Sequence, residues 1–220
     1  VPLAQIGGKG LFIKELEAAL IAGTVNLAVH SLKDMPAQIP QGMMLGAVPP
    51  REDCRDAFIS KRYGSLSEIP PGGRVGTGSL RRRVQVLHLR PDLEVVPIRG
   101  NVDTRLRKME EQGLDALILA AAGLNRLGLG HIPRGFLSES DMLPAVGQGA
   151  LGLEVRTQDK EMRDAVAFLD DPATRFATTG ERAFLDRLEG GCVVPVAAYG
   201  RMQGNSLTLS ALISDLEGRR

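Results

Sequence analysis

The sequence has no tryptophan, and with two Tyr and six Phe its aromatic content is only 4% of 220 residues. Proteins that grip single-stranded nucleic acid stack bases on aromatic side chains set among basic ones. None stands among the arginines between Arg74 and Arg107, which turns the reading away from nucleic acid. Long apolar runs are missing too. Stretches such as residues 116–122 fall far short of the roughly 18–20 residues that span a bilayer, so no membrane is expected as a partner. No basic stretch at the amino terminus leads into an apolar core with a small-residue cleavage site, so secretion is not indicated. Cysteine is scarce: Cys54 and Cys192 lie 138 positions apart, neither a disulfide framework nor a metal-ligand spacing. The expectation is a protein of the reducing cytoplasm with no metal site. A plastid stays open, because a transit peptide would precede Val1.

Lysine is the other shortage. Of 27 basic residues, 21 are Arg and only 6 are Lys. Net charge is just +1, yet between Arg74 and Arg107 eight arginines face three acids, Asp92, Glu94 and Asp103. Arg holds carboxylates and phosphates bidentately, so the bias points to a polyanionic ligand rather than to a plain solvated face. The rest of the composition, 43% hydrophobic and 24% charged, is that of an ordinary globular protein. Its length suits one large or two small domains. The chain starts at Val1 and stops at Arg220 just after a strand-like segment, so it is read as a fragment.

Residues 11–22 carry Leu11, Phe12, Leu16, Ala19 and Leu20 at helical spacing, and Gly23 suits a C-terminal cap. A short strand over 26–29 follows, then the polar run His30-Ser31-Leu32-Lys33-Asp34, closed by Met35-Pro36. Val48-Pro49-Pro50 marks a crossing into a second lobe, where strands near 57–60, 74–77, 93–98 and 116–119 alternate with helices over 80–89 and 102–112. Gly147-Gln148-Gly149 reads as a second hinge, with a strand over 150–155 returning to the first lobe. Two crossings between two α/β lobes make a cleft that opens and closes. A third unit holds a helix over 174–188 and strands over 196–201 and 206–214 around a Gln-Gly-Asn turn.

Gly7-Gly8-Lys9-Gly10 fails as a phosphate loop, because Lys9 is followed by Gly10 instead of Ser or Thr. Gly76-Thr77-Gly78-Ser79 fails as a dinucleotide fingerprint, because Arg81 stands at its third glycine position. What remains there is a strand, a tight turn and a helix start at Ser79. Free backbone N–H groups and the run Arg81-Arg82-Arg83 suit an anion. Adjacent helical residues fan about 100° apart, so these three cannot all face one ligand. Ile98-Arg99-Gly100-Asn101, followed by Arg105, repeats the device. Asp34 either forms a turn before Met-Pro or stabilises a developing cation. At 4 Å and an effective dielectric near 20, such a pair is worth roughly 4 kcal/mol. Adjacent His30 and Ser31 would point to opposite sides of a strand, against a Ser-His catalytic pair. Cys192 follows two glycines; it is either a small buried hydrophobe or a loop thiolate.

In one order the chain carries GGKGLFIKELE, AVHSLKDMP, REDCRDAF, GTGSLRRR, IRGNVDTRL, LAAAGLNRLGL, LPAVGQGALGLEVR and LEGGCVVP. Together these resemble the porphobilinogen deaminase (hydroxymethylbilane synthase) family from about Gln5 to Pro195. The resemblance implies an α/β fold of two periplasmic-binding-protein-like lobes with mixed sheets and a double hinge crossover, plus a small α+β third domain. Its boundaries would be 1–49 with 150–169, then 50–149, then 172–220. It implies a monomeric transferase that joins four porphobilinogen units head to tail, releasing ammonia, on a covalent dipyrromethane cofactor. Cys192 of the EGGC-x-VP motif would form the thioether, and Asp34 would be the catalytic carboxylate. Each pyrrole carries an acetate and a propionate, so the growing polypyrrole chain is strongly anionic. Ser31, Lys33, Ser79, Arg81, Arg82, Arg99 and Arg105 would contact the cofactor. Lys9, Arg126, Gln148, Arg156 and Arg182 would contact the substrate.

This sequence departs from the family pattern in several places, among them the arginine that some relatives place after the RLGL segment, for which Arg134 is only a nearby substitute. The family's amino-terminal Arg-x-Ser segment falls before Val1, and Gly78 stands where many relatives have Ser. Two other readings compete. A two-lobed anion-binding module would need the arginines but no modified cysteine. A cysteine-dependent acyl transferase would need His30, His88 or His131 beside Cys192.

Overall fold

The computed structural model describes residues 8–132, 134–188, 195–216 and 218, with side chains from Phe12 onward. In chain order the elements are α1 (Gly8–Ile21), β1 (Ala28–Ser31), β2 (Met43–Ala47), β3 (Asp56–Ile59), β4 (Arg74–Gly76), α2 (Leu80–Leu89), β5 (Glu94–Val96) and α3 (Val102–Glu111). There follow β6 (Ala116–Ala120), α4 (Ala121–Arg126), β7 (Arg134–Leu137), β8 (Leu151–Arg156), α5 (Lys160–Val166), α6 (Pro172–Leu188), β9 (Val196–Gln203) and β10 (Ser206–Ile213).

A mixed sheet of five strands, ordered β5-β4-β6-β3-β7, forms the larger lobe. Its β4 runs parallel to β5 and β6, and β3 runs antiparallel to β6 and β7. The period of two along a strand divides its apolar residues between two cores. Phe58, Val75 and Ile118 pack under α2 with Val86 and Met142, while Ala57, Ile59, Leu117 and Leu119 pack on the other face with Ile98 and Leu124. The smaller lobe holds β1 and β2, each antiparallel to a central β8. A third unit pairs β9 with β10 as an antiparallel hairpin against α6.

The chain leaves the small sheet after Ala47, enters the large one at Asp56, and returns from Leu137 to Leu151. The two crossings touch. Glu52 N–H donates to the Gly149 carbonyl at 3.2 Å, and Arg51 Nε donates to the Gln148 carbonyl at 2.8 Å. Gly149 is required here: its φ is +86°, and a Cβ would stand 2.4 Å from the Glu52 carbonyl oxygen.

β2, α4, β7 and α5 are elements that periodicity did not indicate. The first is short and glycine-bearing, and the others are only four to seven residues long. The apolar face of α1 also differs from expectation. Phe12 is 71% exposed and Leu16 is exposed as well, and the buried side is Ile13, Glu17 and Leu20. The three share one helical stripe at i, i+4 and i+7, and a carboxylate in the middle hid it from a count of apolar residues.

Candidate functional site: the cleft between the lobes

Ser31 ends β1, and one helical turn, Leu32–Asp34, follows it. His30 turns inward, where its Nε2 lies 2.9 Å from Glu154 Oε2, and Ser31 turns outward, as strand alternation requires. Lys33 and Asp34 are half-buried at the mouth of this turn. Facing them across the crossing, Ala120, Gly123 and Arg126 close a cavity of about 240 Å3 with Ser31, Lys33 and Leu151. Arg126 is exposed there and donates Nη2 to the Gly149 carbonyl at 2.8 Å.

The large lobe supplies the arginines. Ser79 caps α2, its side chain accepting from the Arg82 N–H at 3.5 Å, and Asn101 caps α3 from the Thr104 N–H at 2.9 Å. These caps set where each basic helix begins. Arg83 faces solvent, whereas Arg81 and Arg82 are each only 5% exposed. Both reach one carboxylate: Asp56 accepts from Arg81 Nη2 at 2.7 Å and from Arg82 Nη2 at 2.8 Å. Burial pushes the Asp56 carboxyl up, but Arg82 and Arg81 outweigh it and hold the group below the ordinary carboxylate range. Burial pulls Arg81 down to about 10, which leaves it charged at neutral pH. Arg105 is lowered by burial and by Arg82, and Asp34 acts in the opposite direction. Asp34, Arg105 and Arg82 thus share one electrostatic neighbourhood across the cleft.

Two guanidinium groups against one buried carboxylate leave one positive charge without a partner of opposite sign inside that trio. Among the described residues Arg81 Nε also has no hydrogen-bond partner. A buried surplus cation is costly unless an anion meets it. The arrangement therefore fits a carboxylate-bearing ligand.

Residues 1–164 match the family model described as "Porphobilinogen deaminase, dipyromethane cofactor binding domain", and residues 176–220 match "Porphobilinogen deaminase, C-terminal domain". The porphobilinogen deaminase of Syntrophus aciditrophicus is 53% identical over 219 residues, covering 100% of this chain and 72% of its own length. That of Nitratidesulfovibrio vulgaris (strain Hildenborough) is 52% identical, covering 100% and 70%. The chain belongs to the porphobilinogen deaminase family. Among solved structures, a putative methionine-binding lipoprotein from Bacillus subtilis superposes with a TM-score of 0.47 at 13% identity, covering 74% of this chain and 77% of its own. A periplasmic substrate-binding protein from Coxiella burnetii superposes at 0.46 with 14% identity, covering 75% and 79%. No described helix is long and apolar enough to cross a membrane.

Of the residues in the family's motifs, Ser31, Lys33 and Arg126 line one cavity, Arg105 feels the charges of both Asp34 and Arg82, and Arg81 and Arg82 are themselves buried on Asp56. Arg99 is exposed in the turn between β5 and α3. Lys9 lies in the first turn of α1, with its side chain outside the described residues, and Cys192 lies outside them altogether.

Two residues expected to contact the substrate are held by the protein's own groups. Gln148 is 1% exposed, and its Nε2 donates to the Cys54 carbonyl at 2.7 Å and to Asp56 Oδ1 at 2.8 Å. It fastens the crossings, and its Oε1 accepts from Arg81 Nη2 at 3.5 Å and from Arg82 Nη2 at 3.4 Å. Arg156 stands at the far end of β8 from Leu151. Its guanidinium bonds the carbonyls of Leu20 (2.9 Å) and Val25 (2.8 Å) and the side chains of Asn26 and Asp159 (2.6 Å each), which makes it an anchor for the end of α1. Arg182 donates to the carbonyls of Pro36 and Ala37, each at 2.8 Å, and so braces the segment that follows Asp34. Sequence reading passed over Asp56 and Glu181. The one signal for each was a carboxylate at an otherwise apolar position, at the head of a buried strand and within the buried stripe of α6.

Proposed function

We propose that the protein is a hydroxymethylbilane synthase, which joins four porphobilinogen units head to tail with release of ammonia. The observation that carries this reading is one carboxylate, Asp34, set at the mouth of a cleft whose opposite wall is guanidinium-rich. The substrate carries an acetate and a propionate on each ring, so binding calls for fixed cations, and Arg81, Arg82, Arg99 and Arg105 take that role with Arg126 and Lys33. Ammonia leaves as positive charge develops on the remaining pyrrole. Asp34 lies where it stabilises that charge without reorganising during the step. When bound, the dipyrromethane supplies the nucleophilic pyrrole carbon on which the chain grows. Arg81, Arg82 and Arg105 hold its carboxylates, and Cys192 is its attachment point. The protein works as a monomer in the cytoplasm.

A two-lobed anion-binding module would use the same arginines but no modified cysteine. Intact mass of the purified protein, with Cys192→Ser alongside, separates the two. The expected result is the added mass of two pyrrole units on the parent alone, together with turnover of porphobilinogen. An unmodified and inert parent overturns the synthase reading and leaves the binding module.

A further inference from the structure

Asp56 is the first residue of β3, at the end of the first crossing, and is 0% exposed. Its Oδ1 accepts from Arg82 Nε at 3.0 Å, from Arg82 Nη2 at 2.8 Å and from Gln148 Nε2 at 2.8 Å. Its Oδ2 accepts from Arg81 Nη2 at 2.7 Å. Main-chain carbonyls complete the cradle: Leu143 accepts from Arg81 Nη1 at 2.6 Å, and Ile118 accepts from Arg82 Nη1 at 3.3 Å. Long flexible side chains are thereby fixed at several points each, an order that an arginine in solvent lacks.

We propose that Asp56 is a positioning residue that aims Arg81 and Arg82 at carboxylates in the cleft and, through Gln148, ties their aim to the second interlobe crossing. The inference rests on the reading that these arginines hold carboxylates. Asp56 does not touch the ligand; it acts through the guanidinium groups. One carboxylate shared by two guanidinium groups sets their geometry and still leaves a surplus positive charge. A neutral side chain would leave two unmatched buried cations, and a second carboxylate would cancel the attraction for an anion. Gln148 carries the link to the hinge. Its side chain holds Asp56 and the Cys54 carbonyl, and it sits between Gly147 (φ +68°) and Gly149 (φ +86°), so a rotation at these glycines moves Gln148 against Asp56.

The test uses the purified holoenzyme and Asp56→Glu, which keeps the charge but displaces the carboxylate by one methylene. The expected variant folds with a thermal transition near that of the parent, while KM for porphobilinogen rises about tenfold to a hundredfold, more than kcat falls. Inhibition by glutarate, a small dicarboxylate, weakens in parallel. Gln148→Leu leaves both ion pairs in place and moves both readouts in the same direction by less. A merely structural Asp56 would lower the thermal transition without moving KM or glutarate inhibition, and that result overturns the proposal. If Asp56→Glu does not fold, Gln148→Leu decides: unchanged KM and glutarate inhibition reject the positioning role. If the parent itself does not turn over porphobilinogen, the functional reading has failed. Calorimetric binding of glutarate to parent and variants then decides the positioning claim alone, with equal affinity rejecting it.

Discussion

At the scale of a single residue, Asp34 matters by its charge more than by its packing. It is half-buried at the end of one helical turn, and its charge opposes the lowering that burial and Arg82 impose on Arg105. A fixed carboxylate beside a developing cation in a site shielded from water is worth far more than the same pair in bulk solvent. Asp34→Asn keeps the shape and removes the charge. The expected outcome is a fold and a cofactor mass like those of the parent, with kcat lower by about a hundredfold to a thousandfold. Steady-state turnover beside an intact mass checks this, and a variant with normal kcat would remove Asp34 from the chemistry. Asp34 was visible in the sequence because a polar run ending in Met-Pro follows a short apolar strand. Asp56 was not, because a carboxylate at the head of an apolar strand shows its partners only once the fold brings α2 over it.

At the scale of an element, α1 shows both how far a pattern reaches and where it stops. Its existence was legible from the apolar spacing over 11–22; the side it buries was not. Ile13, Glu17 and Leu20 face the small sheet, placing Glu17 near Glu154 and His30. Burial raises the Glu17 carboxyl above its ordinary range and Glu154 adds to the rise, with His30 and Lys14 pulling the other way. Among the described residues Glu17 Oε1 and Glu154 Oε1 have no hydrogen-bond partner, as expected where two carboxyl groups compete for the same surroundings. The folded protein therefore binds the Glu17 proton more tightly than the unfolded chain does. That contribution to stability is complete below the ordinary carboxylate range and is lost as pH rises through the elevated folded value. Glu17→Gln removes the titration while keeping the size. Relative to the parent, it is expected to raise the thermal transition at about pH 8 and to change it little at about pH 4. Equal differences at the two pH values would show that Glu17 does not titrate in this way.

At the scale of the whole molecule, the two crossings meet α6 at one fully buried carboxylate, Glu181, while Arg175 and Arg182 of α6 bond carbonyls of the small lobe. The crossings were legible from Val48-Pro49-Pro50 and Gly147-Gln148-Gly149, because proline and glycine mark backbone geometry directly. The residue that joins them to the third unit was not, because Glu181 sits inside α6 with Ala177 and Thr178 on what reads as a buried stripe. Glu181 is 0% exposed and makes four hydrogen bonds to three elements. Its Oε1 accepts from Arg51 Nη1 at 2.6 Å and from the Gly200 N–H of β9 at 2.8 Å. Its Oε2 accepts from Arg51 Nη2 at 3.2 Å and from the Gly147 N–H of the second crossing at 2.7 Å. Arg51 also lies 5.1 Å from the centre of the Tyr199 ring in β9.

Removing one partner of a buried ion pair leaves the other unmatched, which typically costs about 3–5 kcal/mol, whereas removing both costs much less. Glu181→Leu alone is therefore expected to lose about that much stability in denaturant titrations, and Arg51→Met at least as much, because it leaves the fully buried Glu181 carboxylate unmatched whereas Arg51 keeps a little access to solvent. The double variant should fall well short of the sum, with a coupling of about 1–3 kcal/mol. Strict additivity would mean that the pair does not act as one joint. Glu181 accepts from both crossings at once, so the same loss should also free the lobes to move apart. Solution scattering is expected to show a larger radius of gyration for folded Glu181→Leu than for the parent, and equal radii would confine Glu181 to local packing.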